Sequence, residues 1–146
     1  MQLIWFRQDL RIHDHAALWH ATQQGPCIAL AVLSPEQWQL HQDARIKTDF
    51  YLRRLKYLKQ QLQQLNIPLI ILNIPLWENL APEILNLCQT LKIESLHANI
   101  EVGVNELERD AQVQQLLEQQ QIRIELYHDR TLFPLGSIRN QSNQPY

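Results

Sequence analysis

Two stretches put charge where a strand should end. In WFRQDLRIHDHAAL (residues 5–18), Arg7, Asp9, Arg11 and Asp14 follow Trp5 and Phe6 with no glycine among them. Charges of both signs at this spacing can pair, Arg7 with Asp9, and fix the loop as a buried or half-buried ion pair. Asp14 would then accept backbone N–H bonds as the cap of a helix beginning at His15. The same arginines can instead hold an anion or dock another domain. In EVGVNELERD (101–110), Asn105 stands three residues before Glu108, the spacing of a capping box in which Asn105 accepts helical N–H bonds and Glu108 reaches back. Glu106 falls in the first turn, where the helix dipole favours a carboxylate. Such a carboxylate, at the carboxyl end of a strand, can also accept two N–H donors from an amino-pyrimidine ring. Capping and ligand binding both stay open. His41, after SPEQWQL, is either a solvated loop histidine or a ring that stacks above the same sheet edge as Asn105.

Five short apolar runs must position these groups: QLIWF (2–6), CIALAVL (27–33), PLIILN (68–73), ESLHAN (94–99) and IRIELY (122–127). The first three are nearly continuous in apolar character, as strands covered on both faces should be. Helical patterns of 3.6 period lie between them. One runs from about 43 to 65 with Tyr51, Leu55, Leu58, Leu62 and Leu65 on one stripe, and another carries Trp77, Leu80, Ile84, Leu87 and Leu91. Gly25-Pro26 closes the first helix, and Asn66-Ile67-Pro68 does similar work before the third strand. Alternation of this kind predicts an α/β fold of Rossmann-like, three-layer form, with a five-stranded parallel sheet and helices on both faces. Ligands of such sheets bind beyond the carboxyl ends of the strands where strand order reverses, so the residues after strands one and four come first. No internal repeat is visible, the glutamines follow helical periodicity, and periodicity dissolves beyond Phe133.

Several chemistries are disfavoured. A dinucleotide site needs glycines in the first strand–helix turn, and QDLRIHD has none. His13 and His15 form H-x-H without a second cluster at ligand spacing, so no metal is expected, and His15 reads as helical surface. Cys27 lies inside a strand and Ser34 precedes Pro35 without a nucleophile elbow, so no catalytic residue is assigned. Trp5, Trp19, Trp38 and Trp77 read as core. The 146 residues, 45% hydrophobic, suit one domain that buries roughly two-thirds of its unfolded surface and needs no disulfide; Cys27 and Cys88 are expected to be reduced. No apolar run approaches a membrane span of roughly 20 residues, and Met1-Gln2 leads straight into a strand, so a cytoplasmic location is expected. The net charge of −2 lacks the basic surplus of a domain that grips DNA alone.

WFRQDLRIHDHAAL resembles the opening signature of the DNA photolyase/cryptochrome family, W-F-R-x-D-L-R-x-x-D before a small-residue helix. VNELERD resembles the V-N-E-x-x-R-D of its folate-antenna photolyases. The likeness extends through SPEQW, the helix start over 45–57 and the closing LFPLGSIRNQSNQPY, and so covers essentially the whole chain.

The resemblance implies that residues 1–132 are the N-terminal light-harvesting domain of a light-dependent enzyme that repairs cyclobutane pyrimidine dimers in DNA, and that 133–146 begin an interdomain linker. A C-terminal helical domain, absent from this sequence, would bind FAD and the damaged DNA and carry the carbon–carbon lyase chemistry; this fragment alone would be inactive. That domain is the implied partner, with no membrane and no metal. The implied antenna is 5,10-methenyltetrahydrofolate. Asn105 and Glu106 match the family's pterin-contacting pair, Glu106 accepting from the ring while Asn105 contacts its neighbourhood and caps the helix. His41 falls where folate-type members have a histidine touching the chromophore. Arg7, Asp9 and Arg11 would tie the strand-end loop and help set the interface between domains. Two other readings remain: a cryptochrome photoreceptor acting by signalling, and a free-standing nucleotide-binding α/β module. The second usually carries a glycine-rich phosphate loop, which Gly103 and Gly136 do not form.

Overall fold

In this computed structural model, which describes residues 1–133 and 137–144, the five apolar runs become five parallel strands in the order β3-β2-β1-β4-β5. They are β1 (Gln2–Phe6), β2 (Cys27–Leu33), β3 (Leu69–Asn73), β4 (Ser95–Asn99) and β5 (Arg123–Tyr127), each beginning within one residue of its expected place. The helices are α1 (Ala16–Gln24), α2 (Pro35–Leu40), α3 (Arg45–Gln64), α4 (Leu80–Thr90) and α5 (Val104–Gln119). No described helix is long and apolar enough to cross a membrane.

Alternation along the strands sorts side chains between two cores. Leu3, Trp5 and Leu30 pack with Ile84, Cys88, Val113 and Leu117 of α4 and α5, while Ile4, Phe6, Ala29 and Ala31 meet Leu18, Leu55, Leu58 and Leu62 of α1 and α3. Cys27 and Cys88 are both free thiols. Residues 2–6 of β1 pair with β2 from Gln2 opposite Cys27 to Phe6 opposite Ala31, but pair with β4 only as far as Ile4 opposite His97. The two central strands therefore part towards their carboxyl ends, and strand order reverses at that point.

With three glycines in 146 residues, the chain ends its helices by other means. After α3, α4 and α5 the second residue on, Asn66, Lys92 or Gln121, takes a left-handed φ of 56°, 53° or 60°. The isoleucine that follows donates its N–H back across the last turn, from Ile67 to Leu62 O, Ile93 to Cys88 O and Ile122 to Leu117 O, at 3.0, 2.8 and 3.0 Å. This is the Schellman arrangement, and the buried isoleucine packs on the same core as the residue it bonds before the chain enters the next strand. Gly25, at φ 146°, ends α1 as expected.

Several expectations need correction. Asp14 does not cap α1: it is exposed at φ 49°, and His15, 3% exposed rather than helical surface, is the N-cap, its Nδ1 accepting the Leu18 N–H at 3.1 Å. SPEQWQL is mostly helix, not loop, because Pro35 at the first helical position starts a short turn of α2. Leu65 leaves the stripe of α3 and is exposed, since the chain has turned at Asn66 and Ile67 takes the buried place. Trp19 is 60% exposed on α1 and belongs to neither core. The linker reading of 133–146 rests partly on residues 134–136 and 145–146, which lie outside the described residues.

Candidate functional site: the crevice at the carboxyl end of β1

A crevice lies over the carboxyl ends of β1 and β2 beside the start of α5, and the strand-end charges close it from beneath. Arg7, the first residue past β1, reaches over to α5: Nη1 donates to Asp110 Oδ2 at 2.8 Å, and Nη2 to the Asn99 carbonyl at the end of β4. Arg109 donates Nε and Nη2 to Asp110 Oδ1 at 2.9 and 2.7 Å and Nη2 to Glu101 Oε2 at 2.8 Å. The four side chains are 5–8% exposed and sum to zero charge. Burial works against the Arg109 charge, but Asp110 and Glu101 outweigh it and raise its pKa above the ordinary guanidinium value. The guanidinium groups also lie over indole rings, Arg7 over Trp5 at 4.6 Å and Arg109 over Trp5 and Trp77 at 4.9 and 4.7 Å. A cavity of only about 50 Å³ remains. That is room for a water and not for an aromatic ring.

The expected Arg7–Asp9 ion pair is not what the charges make. Asp9 Oδ1 accepts the Arg7 backbone N–H at 2.9 Å, while its Oδ2 lies 2.9 Å from His15 Nε2. The guanidinium prefers two carboxylates and a carbonyl across the crevice; the short Asp9 side chain is held instead by its own turn. Because His15 Nδ1 is an acceptor for Leu18, Nε2 carries the proton donated to Asp9. Burial opposes ionisation of Asp9, but the hydrogen bond from His15, the Arg7 N–H and the Arg7 charge outweigh it and hold the carboxyl well below the usual range. Asn99 completes this second lock: Nδ2 donates to Asp9 Oδ2 at 2.8 Å and Asp129 Oδ2 at 3.0 Å, and Oδ1 accepts the Ala17 N–H at 3.0 Å. Arg11 joins Asp129 at 2.5 Å. The ends of β1, β4 and β5 are thereby tied together.

The three residues singled out from sequence fare differently. Glu106 lines the crevice with Trp5, Trp77 and Arg109, is half-buried, and makes no hydrogen bond or ion pair among the described residues. Asn105 is exposed on the second residue of α5 and does not line the crevice. Nor does it form a capping box with Glu108. The helix begins earlier, with Gly103 as N-cap and the Leu107 N–H bonded to Gly103 O at 2.9 Å, so Asn105 already has helical backbone and no side chain caps. His41 ends α2 with its ring edge-on to Trp77, centroids 5.0 Å apart, and its Nε2 3.0 Å from Gln37 Nε2. Since the Trp77 ring is a crevice wall, His41 stands one ring removed from the opening.

Glu101, Arg109, Asp110 and Asn99 escaped the sequence reading. A signal existed: Arg109 and Asp110 share a helical stripe with buried Val113 and Leu117, and charge on an apolar stripe implies a buried partner. Among the described residues no group of three or more His, Cys, Asp or Glu side chains is placed to hold a metal ion.

Relatives share this architecture. The deoxyribodipyrimidine photo-lyase of Vibrio cholerae is 37% identical over 145 residues, which is 99% of this chain and 31% of that protein. The class III photolyase of Agrobacterium tumefaciens shares the fold at TM-score 0.78 with 19% identity, covering 99% of this chain and 29% of that one. An archaeal photolyase from Sulfolobus tokodaii, solved with two FAD molecules that imply a novel light-harvesting cofactor, shares it at TM-score 0.78 and 21% identity, covering 96% of this chain and 32% of that one. The chain thus spans about 30% of the length of the curated relatives it matches. The DNA photolyase family model matches residues 2–146, and the chain belongs to that family.

Proposed function

We propose that this chain is the light-harvesting part of a deoxyribodipyrimidine photo-lyase. It holds an antenna chromophore across the mouth of the crevice at the carboxyl end of β1 and serves a flavin carried elsewhere in the protein. The observation that carries this reading is the unpartnered Glu106 carboxylate at that mouth. A half-buried carboxylate accepting nothing from the described residues has lone pairs for two N–H donors, and charge-assisted bonds of that kind are strong. An amino-pyrimidine edge presents two such donors side by side. The filled floor keeps a ring out of the interior, so the groove is shallow and the ring lies over Glu106 and the Trp77 wall. These features suit the pterin of 5,10-methenyltetrahydrofolate, with exposed Asn105 beside it as a further contact and His41 backing the Trp77 wall. When bound, that group supplies light absorption and excitation transfer; the chain's own residues bind it and orient it.

The neutral Arg7–Asp110–Arg109–Glu101 group supports a holding role. These charges pair with one another, and Glu101 lies also 3.6 Å from the exposed Arg130, as a structural network would. The flavin, the helical domain around it and the grip on dimer-containing DNA we assign to the larger part of the relatives' length that this chain does not match. The net charge of −2 is in keeping with a DNA surface located there.

Glu106→Gln in the native-length protein tests the reading, because it preserves shape while turning one acceptor into a donor. Chromophore bound per flavin should fall about tenfold or more. Repair driven by light the flavin absorbs directly should be unchanged, and antenna-sensitised repair should be lost. Equal loss under both illuminations, or undiminished chromophore, would sink the assignment.

A further inference from the structure

Gly103, the N-cap of α5, has φ −68° and ψ 147°, a conformation open to any residue. Its backbone does not call for glycine; the space beside it does. A Cβ at Gly103 would overlap Glu106 Oε2 and stand 2.8 Å from Glu106 Cδ. The carboxylate thus rests in the volume that any other residue's side chain would fill. No backbone atom is among its near neighbours, so an added methyl would displace only the end of a flexible glutamate.

We infer that Gly103 is a positioning residue: its missing side chain is the seat of the Glu106 carboxylate and fixes where that group meets the chromophore. The inference rests on the Glu106 reading above. Three features of the site support it. Glu106 has no hydrogen bond or ion pair among the described residues to hold it elsewhere. Both residues are half-buried, so the carboxylate is not simply solvated. The flanking Val104 and Leu107 side chains are exposed and make no wall in the crevice that could align it. The seat at Gly103 is what remains.

A rival explanation is that Gly103 only caps the helix, since glycine is a better N-cap than alanine. Serine separates the two ideas, because it caps at least as well as glycine yet carries a Cβ. Gly103→Ala and Gly103→Ser, Glu106→Gln, and the double variant Gly103→Ala/Glu106→Gln should be made in the native-length protein. Each is stripped of chromophore and titrated with 5,10-methenyltetrahydrofolate, reading Kd and the position of the bound absorption band; thermal unfolding is followed in parallel. For alanine the poorer cap and the stiffer unfolded chain oppose each other, so its unfolding temperature should stay close to that of the parent. Both glycine variants should raise Kd about tenfold, as Glu106→Gln does, and shift the band. The double variant should bind no worse than Glu106→Gln alone. Parent-like binding by Gly103→Ser would make Gly103 merely a cap, and additive losses in the double variant would show independent roles; either overturns the inference while leaving Glu106 its function. Parent-like binding by Glu106→Gln would instead overturn the Glu106 reading itself, and the inference with it.

Discussion

Asp110→Ala should be among the most damaging single truncations in this chain, because Asp110 serves two buried cations at once. Its Oδ2 accepts from Arg7 Nη1 and its Oδ1 from Nε and Nη2 of Arg109, at 2.7–2.9 Å. Without it, two guanidinium groups that are 5–6% exposed keep Glu101 as their one carboxylate, which lies 2.8 Å from Arg109 but 3.8 Å from Arg7 Nε. Leaving a buried charge uncompensated costs about 3–5 kcal/mol, against a total stability of the order of 10 kcal/mol. At a urea dependence of about 2 kcal/mol per molar, the unfolding midpoint falls by about 2 M. Arg7→Met is costly alone, since it orphans the Asn99 carbonyl and half of Asp110. Combined with Asp110→Ala it removes one of the stranded charges, so the double variant should lose less than the sum by about 1–3 kcal/mol. Equilibrium urea unfolding of the four proteins in the cycle provides the measurement. A loss below about 1 kcal/mol for Asp110→Ala, or strict additivity, would mean that water already solvates these charges and that the crevice floor is not closed.

Acid and backbone strain give two further tests. His97 is fully buried, its Nδ1 2.8 Å from the Tyr127 hydroxyl oxygen, and burial, then His20 and Arg123, pushes its pKa from 6.5 down to about 4. Between those values the unfolded chain takes up a proton that the folded chain refuses. Stability is therefore full above pH 6.5 and declines towards pH 4, by about 3 kcal/mol; denaturant titrations at pH 7 and 4.5 should show a flatter dependence for His97→Asn, and equal slopes would contradict the assignment. At Lys92, φ 53° places a side chain in the left-handed region, so Lys92→Gly should raise stability by about 0.5–1 kcal/mol, and a lower unfolding temperature would show that the lysine makes a compensating contact.

Layer order and strand placement were legible because they depend on local apolar pattern, which each strand carries within itself. QLIWF and CIALAVL are unambiguous on that basis. Helix ends were harder to read, since the usual punctuation is scarce. Asn66-Ile67, Lys92-Ile93 and Gln121-Ile122 do the work of glycine, and their common feature, an isoleucine five residues after a buried helical residue, becomes visible only once the hydrogen bonds are known. Charge partners were the least legible. Arg7 is two residues from Asp9 in sequence but 103 from Asp110, and its guanidinium pairs with the distant carboxylate because the β1–β4 neighbourhood brings α5 over it. Which of several nearby carboxylates an arginine takes is decided by topology. The expected capping box failed for a related reason: the spacing of Asn105 and Glu108 is sound, but the helix had already begun at Gly103.

That early start matters for the site. Had Asn105 been the cap, Glu106 would be the first helical residue and its carboxylate would stand clear of the turn. With Gly103 as cap, Glu106 is the third helical residue, the position from which a carboxylate folds back over the cap. In an ordinary capping box that group is occupied by the cap's own N–H. Here it has no such bond, and beneath it the two buried carboxylates of the floor are already paired with arginines. On the reading proposed above, an unpaired carboxylate over a filled floor favours a flat ligand rich in N–H donors. On the same reading, selectivity at this opening would follow from two separable features, the paired charges beneath it and the bare backbone of one glycine beside it.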